Sequence, residues 1–244
     1  MMQIAQGVMM LELRVQSFGR ESVYHPVVIA GEQGTVLIDT GTPGQWEPIQ
    51  NAMTKAGIDP ETLQAVIITH QDIDHIGSLP EIKQALSHRV RVYAHPIEKP
   101  YIEGEKTILK FDRNQMPPER WASLPDAMKQ LAARLPKAPV DETVTDGCVL
   151  PYGGITVIET PGHTPGHISL YSPKHRLLIA GDALTAEDGR LYGPNPAFTP
   201  DMDEAMRSVR KLLDFDIETV VCYHGGACRG DIREQLEQIV SSMA

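Results

Sequence analysis

This chain of 244 residues has little cysteine and no long apolar run. Its three cysteines are an odd number and form no C-x-x-C pair, so neither a disulfide framework nor a cysteine-based zinc site is predicted. No run of 18 apolar residues occurs, and the N-terminus lacks a basic segment followed by an apolar one. We therefore expect a soluble, cytoplasmic protein with no membrane partner.

Positive charge is also scarce, since 22 Lys and Arg residues stand against 32 Asp and Glu residues and the formal net charge is −10. Nucleic acids and anionic membranes are bound through clustered Lys and Arg, so this balance argues against both. The G-x-S-x-G motif of a serine nucleophile is absent as well. The expected partner is a small-molecule substrate, with a homodimer left open.

The most informative stretch is 69–77, which has the sequence THQDIDHIG. It places four potential metal ligands within six residues, a spacing that neither one face of a helix nor a straight strand can gather. Such a spacing suits a loop, where several side chains converge on one point. The four residues are His70, Asp72, Asp74 and His75.

The flanking residues predict where this loop lies in the fold. Residues 65–69 form a short apolar, β-branched run, which predicts a buried strand. Ser78 and Glu81 have the spacing of a capping box, and Ile82 and Leu86 continue as the apolar side of a helix. The ligand cluster is therefore predicted on a strand-to-helix loop, a common position for catalytic groups.

Short strands and occasional helices alternate along the chain and predict two packed sheets with helices outside, an α+β fold. Three further polar residues, His163, Asp182 and His224, each follow an apolar run directly, at the point where a strand should end. The predicted strands are 10–16, 26–30, 35–39, 65–69, 89–94, 154–159, 167–172, 176–180 and 218–223, and the predicted helices begin near Trp46, Ser78, Asp201 and Asp231.

Residues 96–150 differ from the rest, because proline and charge increase and β-branched runs disappear. An apolar stripe at helical spacing predicts one helix there. Two interpretations stay open: the helix only packs on the core, or it forms a cap over the site that shapes the substrate pocket. The stripe consists of Trp121, Leu124, Met128, Leu131 and Leu135.

In this order and combination, the motifs resemble those of the metallo-β-lactamase superfamily, from the Leu-Ile-Asp-Thr-Gly segment at Asp39 to His224. The resemblance implies a single domain over 1–244 with the four-layer αββα sandwich of the metallo-β-lactamase fold. The interval of 88 residues between His75 and His163 is long for this family, which is consistent with a helical cap inserted at about 96–150.

The resemblance also implies a binuclear site for two divalent metal ions, with zinc as the first choice and manganese or iron as alternatives. Asp39 is interpreted as a group that orients a ligand histidine, and His167 as a structural residue of its loop. Position by position, the first ion would take His70, Asp72 and His163, the second Asp74, His75 and His224, and Asp182 would bridge them.

Asp72 departs from the family pattern, which usually has histidine at this position. The carboxylates of Asp72, Asp74 and Asp182 and one hydroxide would neutralise two divalent ions, whereas the usual site is one unit more positive. We therefore expect weaker attraction for anionic substrates. The harder oxygen ligand should also shift metal preference from zinc toward manganese or iron.

The leading hypothesis is a metal-dependent hydrolase that uses a metal-bridging hydroxide to cleave an ester, thioester or lactone, with Asp74 as the candidate proton-transfer residue. Asp72 keeps open a non-heme iron redox enzyme similar to persulfide dioxygenases or diiron oxygen reductases. A phosphodiesterase and a degenerate binding module are further alternatives. Glyoxalase II chemistry is less favoured than a smaller or more hydrophobic substrate, because only 20 residues follow His224.

Overall fold

The computed structural model describes residues 1–17, 20–86, 89–114 and 116–242. The strands of this part of the chain are β1 (Met2–Ala5), β2 (Val8–Met10), β3 (Leu13–Ser17), β4 (Arg20–Tyr24), β5 (Val27–Gly31), β6 (Gly34–Ile38), β7 (Leu63–Ile67), β8 (Arg91–Ala94), β9 (Glu142–Thr143), β10 (Val149–Leu150), β11 (Ile155–Glu159), β12 (Ile168–Ser172), β13 (Leu177–Gly181), β14 (Thr185–Glu187), β15 (Arg190–Tyr192), β16 (Thr219–Cys222) and β17 (Gly226–Arg229).

The helices lie between these strands or after them. Short 3₁₀ turns occur at Pro60–Thr62, Leu109–Phe111, Pro173–His175 and Leu212–Asp214. The α-helices are α1 (Trp46–Lys55), α2 (Ile73–Ile76), α3 (Leu79–Leu86), α4 (Lys99–Ile102), α5 (Pro118–Ser123), α6 (Asp126–Ala132), α7 (Met202–Lys211) and α8 (Ile232–Ser241). Within the described ranges, no helix is both long enough and apolar enough to cross a membrane.

Two large sheets carry the fold. The first has the strand order β1-β2-β5-β6-β7-β8-β9 and the second has the order β10-β11-β12-β13-β16-β17. Strands β6 to β9 pair in parallel, as do β13 and β16. Because the carboxyl ends of parallel neighbours meet at one edge of a sheet, the loops that follow them are brought together there.

The alternation of side chains along each strand divides the core into three apolar layers. In β6, Val36 and Ile38 face the second sheet, whereas Leu37 faces the helices outside the first. Leu178 of β13 faces in the same way toward the helices outside the second sheet. Helices α1 and α3 cover one outer face and α7 and α8 cover the other, so the predicted four-layer αββα order is confirmed.

Two expectations about local structure were wrong. Residues 10–16 do not form one strand, because the chain leaves the first sheet after β2 and enters a separate hairpin of β3 and β4. The stripe from Trp121 to Leu135 is not one helix either. Pro125 forces Leu124 into an extended conformation, so the stripe is divided between α5 and α6.

Two of the predicted helix starts differ in how they are capped. Asp201 caps α7, the helix predicted to begin near it, because its carboxylate accepts a hydrogen bond from the Glu204 amide at 2.9 Å. Ser78 and Glu81 instead hold the loop before α1. The Ser78 hydroxyl donates to the Thr42 carbonyl at 2.7 Å, and Glu81 accepts from the Gly44 amide at 2.7 Å. This joins the helix after the ligand cluster to the strand end at 39–42.

Candidate metal centre

The seven predicted ligands converge at one end of the sandwich, although they come from four separate segments. His70 and Asp72 follow β7, and Asp74 and His75 lie in the short helix α2. His163 follows β11, Asp182 follows β13 and His224 follows β16. Five of them lie in loops that follow strands, as the sequence predicts, whereas Asp74 and His75, predicted in the loop, lie in the short helix that continues it.

One group of donor atoms lies on the side of β7 and β11. Single ligand atoms of His70, His163 and Asp182 all lie within 4.8 Å of one another. The Asp72 carboxylate belongs to the same place, because its Oδ2 is 3.0 Å from His163 Nε2 and 3.3 Å from His70 Nε2. Asp72 therefore reaches the centre despite being shorter than a histidine.

A second group lies beside the first. Ligand atoms of Asp74, His75 and His224 also lie within 4.8 Å of one another. Asp182 stands between the groups, with Oδ2 3.3 Å from both His163 Nε2 and His224 Nε2 and with Oδ1 3.4 Å from His75 Nε2. A carboxylate in this position is able to contribute to both groups.

Four polar atoms in this cluster are buried without a hydrogen-bond partner. They are the Nε2 atoms of His70 and His75 and one carboxylate oxygen each of Asp72 and Asp182. Buried polar atoms in native proteins are nearly always paired, so four such atoms in one cluster require an explanation. Divalent cations coordinated by imidazole and carboxylate would supply the missing partner, so the donor set fits metal binding.

Asp39 orients the histidines of the first loop, in agreement with its predicted role. It is buried, and its Oδ2 accepts a hydrogen bond from His75 Nδ1 at 2.8 Å. Thr69 donates its amide and its hydroxyl to the same carboxylate at 2.9 and 2.8 Å. The Thr69 oxygen in turn accepts from His70 Nδ1 at 3.0 Å. The Nε2 atoms of His70 and His75 are thereby directed into the centre.

His167 lies behind the cluster and supports Asp182. Burial and the neighbouring His163 lower the pKa of His167 to about 3, so its ring is neutral. Its Nε2 accepts the amide hydrogen of Asp182 at 2.9 Å, and its Nδ1 lies 2.8 Å from the Thr160 hydroxyl. These contacts hold the end of β13 against the loop that carries His163.

The carboxylates and imidazoles of the second group perturb one another strongly. Burial opposes charge on His224, but Asp182 and Asp74 outweigh it and raise the pKa of His224 to about 10. Burial likewise opposes charge on His75, while Asp39, Asp182 and Asp74 hold its pKa well above the ordinary value. In the absence of metal, the second group is therefore held together by imidazolium–carboxylate pairs.

Glu98, which the sequence did not single out, connects the loop that carries His70 to the loop that carries His163. It is fully buried, and one carboxylate oxygen accepts both the backbone and side-chain N–H groups of Gln71 at 2.9 Å. The other oxygen accepts the Gly166 amide at 2.7 Å. Gln71 follows His70 and Gly166 lies in the His163 loop, so Glu98 fixes their separation.

Lys110 is the second residue that the sequence did not reveal. Its ammonium group donates to Asp72 Oδ2 and lies 2.7 Å from His163 Nε2. The charge balance derived from the sequence omitted this residue. Lys110 returns the unit of positive charge that Asp72 removes, so the expected weaker attraction for anionic substrates no longer follows.

A cavity of about 460 Å³ opens over the cluster. Asp72, Asp74, Asp182, His163 and His224 form its polar floor, and its walls are mainly apolar. Much of the wall comes from the 96–150 segment, and part comes from the loop after β15. The apolar wall residues include Phe111, Met116, Leu124, Met128 and Phe198.

Comparison with known proteins identifies the class to which this fold and donor set belong. The model of the metallo-beta-lactamase superfamily matches residues 21–224. The chain therefore belongs to the metallo-β-lactamase superfamily, whose members typically bind divalent metal ions.

Individual relatives agree with this assignment. The chain is 33% identical over 228 residues to the probable metallo-hydrolase YflN of Bacillus subtilis (strain 168), a match that covers 86% of this chain and 82% of YflN. It is 27% identical over 205 residues to a hydroxyacylglutathione hydrolase of Hamiltonella defensa, covering 83% of this chain and 61% of that protein.

Solved structures confirm the metallo-β-lactamase fold. The metallo-beta-lactamase family protein TTHA1429 from Thermus thermophilus matches with a TM-score of 0.74 at 20% identity, over 99% of this chain and 80% of its own. The archaeal superfamily protein ST1585 from Sulfolobus tokodaii matches with a TM-score of 0.69 at 23% identity, over 97% of this chain and 86% of its own. At these identities the likeness concerns the fold alone.

Proposed function

We propose that this protein is a binuclear metal-dependent hydrolase that cleaves an ester, thioester or lactone of a small, largely apolar substrate. The observation that carries the proposal is the cluster of seven imidazole and carboxylate side chains, four of whose buried atoms lack partners, on the floor of an apolar cavity. Zinc is the first choice of metal, with manganese or iron as alternatives.

The two groups of donors would hold the ions as matched by position: His70, Asp72 and His163 for one, Asp74, His75 and His224 for the other, and Asp182 for both. Divalent ions held there would lower the pKa of a water molecule and polarise the scissile carbonyl. The remaining contributions come from the residues of the chain itself.

Asp74 is the candidate proton-transfer residue. Its side chain is 22% exposed, lines the cavity floor and lies 3.4 Å from His224 Nε2. It is therefore placed between the buried cluster and a substrate in the cavity, where it can take a proton from the attacking water and return it to the leaving group.

The walls of the cavity determine the kind of substrate. Phe111, Met116, Met128 and Phe198 would bury an acyl chain or a ring and exclude bulk water from the reacting carbonyl. In this proposal, the 96–150 segment is a cap that shapes the pocket, the second of the two roles considered for it.

The test is hydrolysis by protein stripped of metal with a chelator and then loaded with zinc, manganese or iron(II). Neutral aryl esters, thioesters and lactones of increasing chain length serve as substrates. We expect no hydrolysis by the stripped protein and recovery on loading. His163→Ala should lose activity, whereas His175→Ala, a histidine substitution outside the cluster, should retain it. Hydrolysis that survives complete removal of metal would overturn the proposal.

The carboxylate of Asp72 favours a second candidate, an iron-dependent redox enzyme. Its Oδ2 lies within 3.3 Å of both histidines of the first group, so an oxygen ligand replaces the usual nitrogen at that position. Elemental analysis of protein purified without added metal separates the candidates. Iron together with oxygen consumption supports the redox enzyme, and zinc without iron counts against it.

A further inference from the structure

Lys110 occupies an unusual place for a cation, because it contacts two residues that are matched to the first metal ion. Its Nζ donates to Asp72 Oδ2 and lies 2.7 Å from His163 Nε2. The Lys110 side chain is 22% exposed, whereas those of Asp72 and His163 are 8% and 3% exposed. The contact is therefore made inside the cluster.

The position of Lys110 Nζ makes this contact incompatible with metal binding. His163 Nε2 faces the cluster and lies 3.0 Å from Asp72 Oδ2. Lys110 Nζ is in contact with both of these atoms. A metal ion that bound the same two atoms would need the space that Nζ occupies, so only one cation can hold both at a time.

The pattern of unpaired atoms agrees with this interpretation. His70 and His75 both have a buried Nε2 without a partner, whereas His163 Nε2 is not among the unpaired atoms. His163 Nε2 lies close to both Lys110 Nζ and Asp72 Oδ2. Asp72 Oδ1 is unpaired, whereas its Oδ2 accepts from Lys110 and lies close to His163 Nε2.

The turn that carries Lys110 is anchored to the ligand loop. The amide of Leu109 donates to the Gln71 side chain at 2.8 Å, and Ile108 and Phe111 are buried in the core. The backbone therefore holds the lysine at the edge of the first group. In the same conformation its Nζ also lies 5.9 Å from the centre of the Phe198 ring, at the wall of the cavity.

We propose that Lys110 is a built-in cation that occupies the first metal position in the metal-free protein and competes with the metal ion for Asp72 and His163. It neutralises the extra carboxylate when no metal is bound, and it makes the first position weaker in metal affinity than the second. The inference rests on the metal-binding part of the proposed function.

The test is a Zn²⁺ titration of the first metal position after the second has been disabled. His224→Ala removes a ligand of the second group, and chelator-stripped protein with this substitution is titrated with Zn²⁺ against a chromophoric chelator. Adding Lys110→Met should tighten Zn²⁺ binding about tenfold or more, which is the effect of removing one charge-assisted hydrogen bond from the competing state. Equal or weaker binding in the double variant would overturn the competition.

Two controls separate competition from a general effect of charge. Lys106→Met removes a cation from an exposed position of the same segment, where its Nζ lies 5.3 Å from the Tyr101 ring centre, and it should leave the affinity unchanged. In a His163→Ala background, which leaves the second position, Lys110→Met should also change nothing. A comparable gain in either control would show long-range electrostatics and would refute the proposal.

Thermal melting supplies a readout that does not depend on activity or on affinity constants. Stripped Lys110→Met should melt below the stripped wild type, because Asp72 is left buried without a cation. Zn²⁺ should raise the melting temperature of this variant by more than it raises that of the wild type. If the stripped variant does not fold, Lys110→Gln, which keeps a donor but no charge, takes its place. Wild-type protein that binds no Zn²⁺ at all would overturn the proposed metal centre instead, so the two failures are distinguishable.

Discussion

Replacing Asp39 by Asn tests whether its carboxylate holds His75, a predicted ligand of the second metal ion, in the orientation and protonation state that metal binding requires. Asn is close in shape to Asp and tolerates the left-handed backbone at this position, where φ is +60°, so the substitution adds no backbone strain. One side-chain oxygen remains to accept the Thr69 amide. The other becomes an NH₂ group that faces two donors, the Thr69 hydroxyl and His75 Nδ1.

The structure allows the magnitude to be worked out. Two charge-assisted hydrogen bonds of about 1.5–3 kcal/mol each are lost, and a neutral one of about 1 kcal/mol is regained if His75 gives up its proton on Nδ1. We therefore expect the metal-free protein to be destabilised by about 2–5 kcal/mol. The same change leaves the remaining proton of His75 on Nε2, where a metal ion would need the lone pair that faces the centre. Zinc affinity of the second position should fall by about 10- to 100-fold.

Chelator-competition titration and chemical denaturation measure the two effects. The control is a double-mutant cycle with His75→Ala, in which Asp39→Asn should cause no further loss of zinc affinity because its effect passes through His75. Unchanged zinc affinity in Asp39→Asn, together with reduced stability, would mean that Asp39 supports only the fold and that the reasoning about the tautomer is wrong.

Three further outcomes are expected for the metal-free protein and its glycines, and a fourth for Glu98. Zinc binding at neutral pH should release protons, because carboxylates keep His75 and His224 protonated without metal. A pH-indicator dye measures the release, and a titration in which it detects no released protons would contradict the prediction. Without metal, the stabilising charge of His224 is fully present below pH 6.5 and is lost as the pH rises through about 10, so denaturation midpoints should fall across that range. Gly225→Ala should destabilise the protein by more than about 2 kcal/mol, since the φ of Gly225 is +101° and a Cβ would lie 1.7 Å from the Ala186 carbonyl oxygen. As a control, Gly189→Ala, with φ +76° and open space around it, should lower the stability by less in the same melts. Glu98→Gln should lower both the stability of the protein and the zinc affinity of the first position, because the new NH₂ group would face backbone N–H donors. A zinc affinity equal to that of the wild type would show that Glu98 does not set the separation of the His70 and His163 loops.

Much of the architecture could be predicted from local pattern. Short continuous apolar runs end where polar residues begin, and this alone located Asp182 and His224 at strand ends. The structure brings Asp182 Oδ2 within 3.3 Å of His224 Nε2. Two packed sheets with helices outside followed from the alternation of strands and helices along the chain, whereas the four-layer αββα order was implied by the family resemblance. The pattern failed where a single residue overrides periodicity, as Pro125 does in dividing the stripe between Trp121 and Leu135.

The sequence by itself therefore determined which residues could serve as ligands, because imidazole and carboxylate chemistry and strand ends are both visible in one dimension. Only the tertiary structure decided what surrounds them. Glu98 and Lys110 lie in a segment without a recognisable motif, and their partners Gly166 and His163 are more than 50 residues away in the chain. Such contacts depend on how separate segments pack, and no local spacing encodes them.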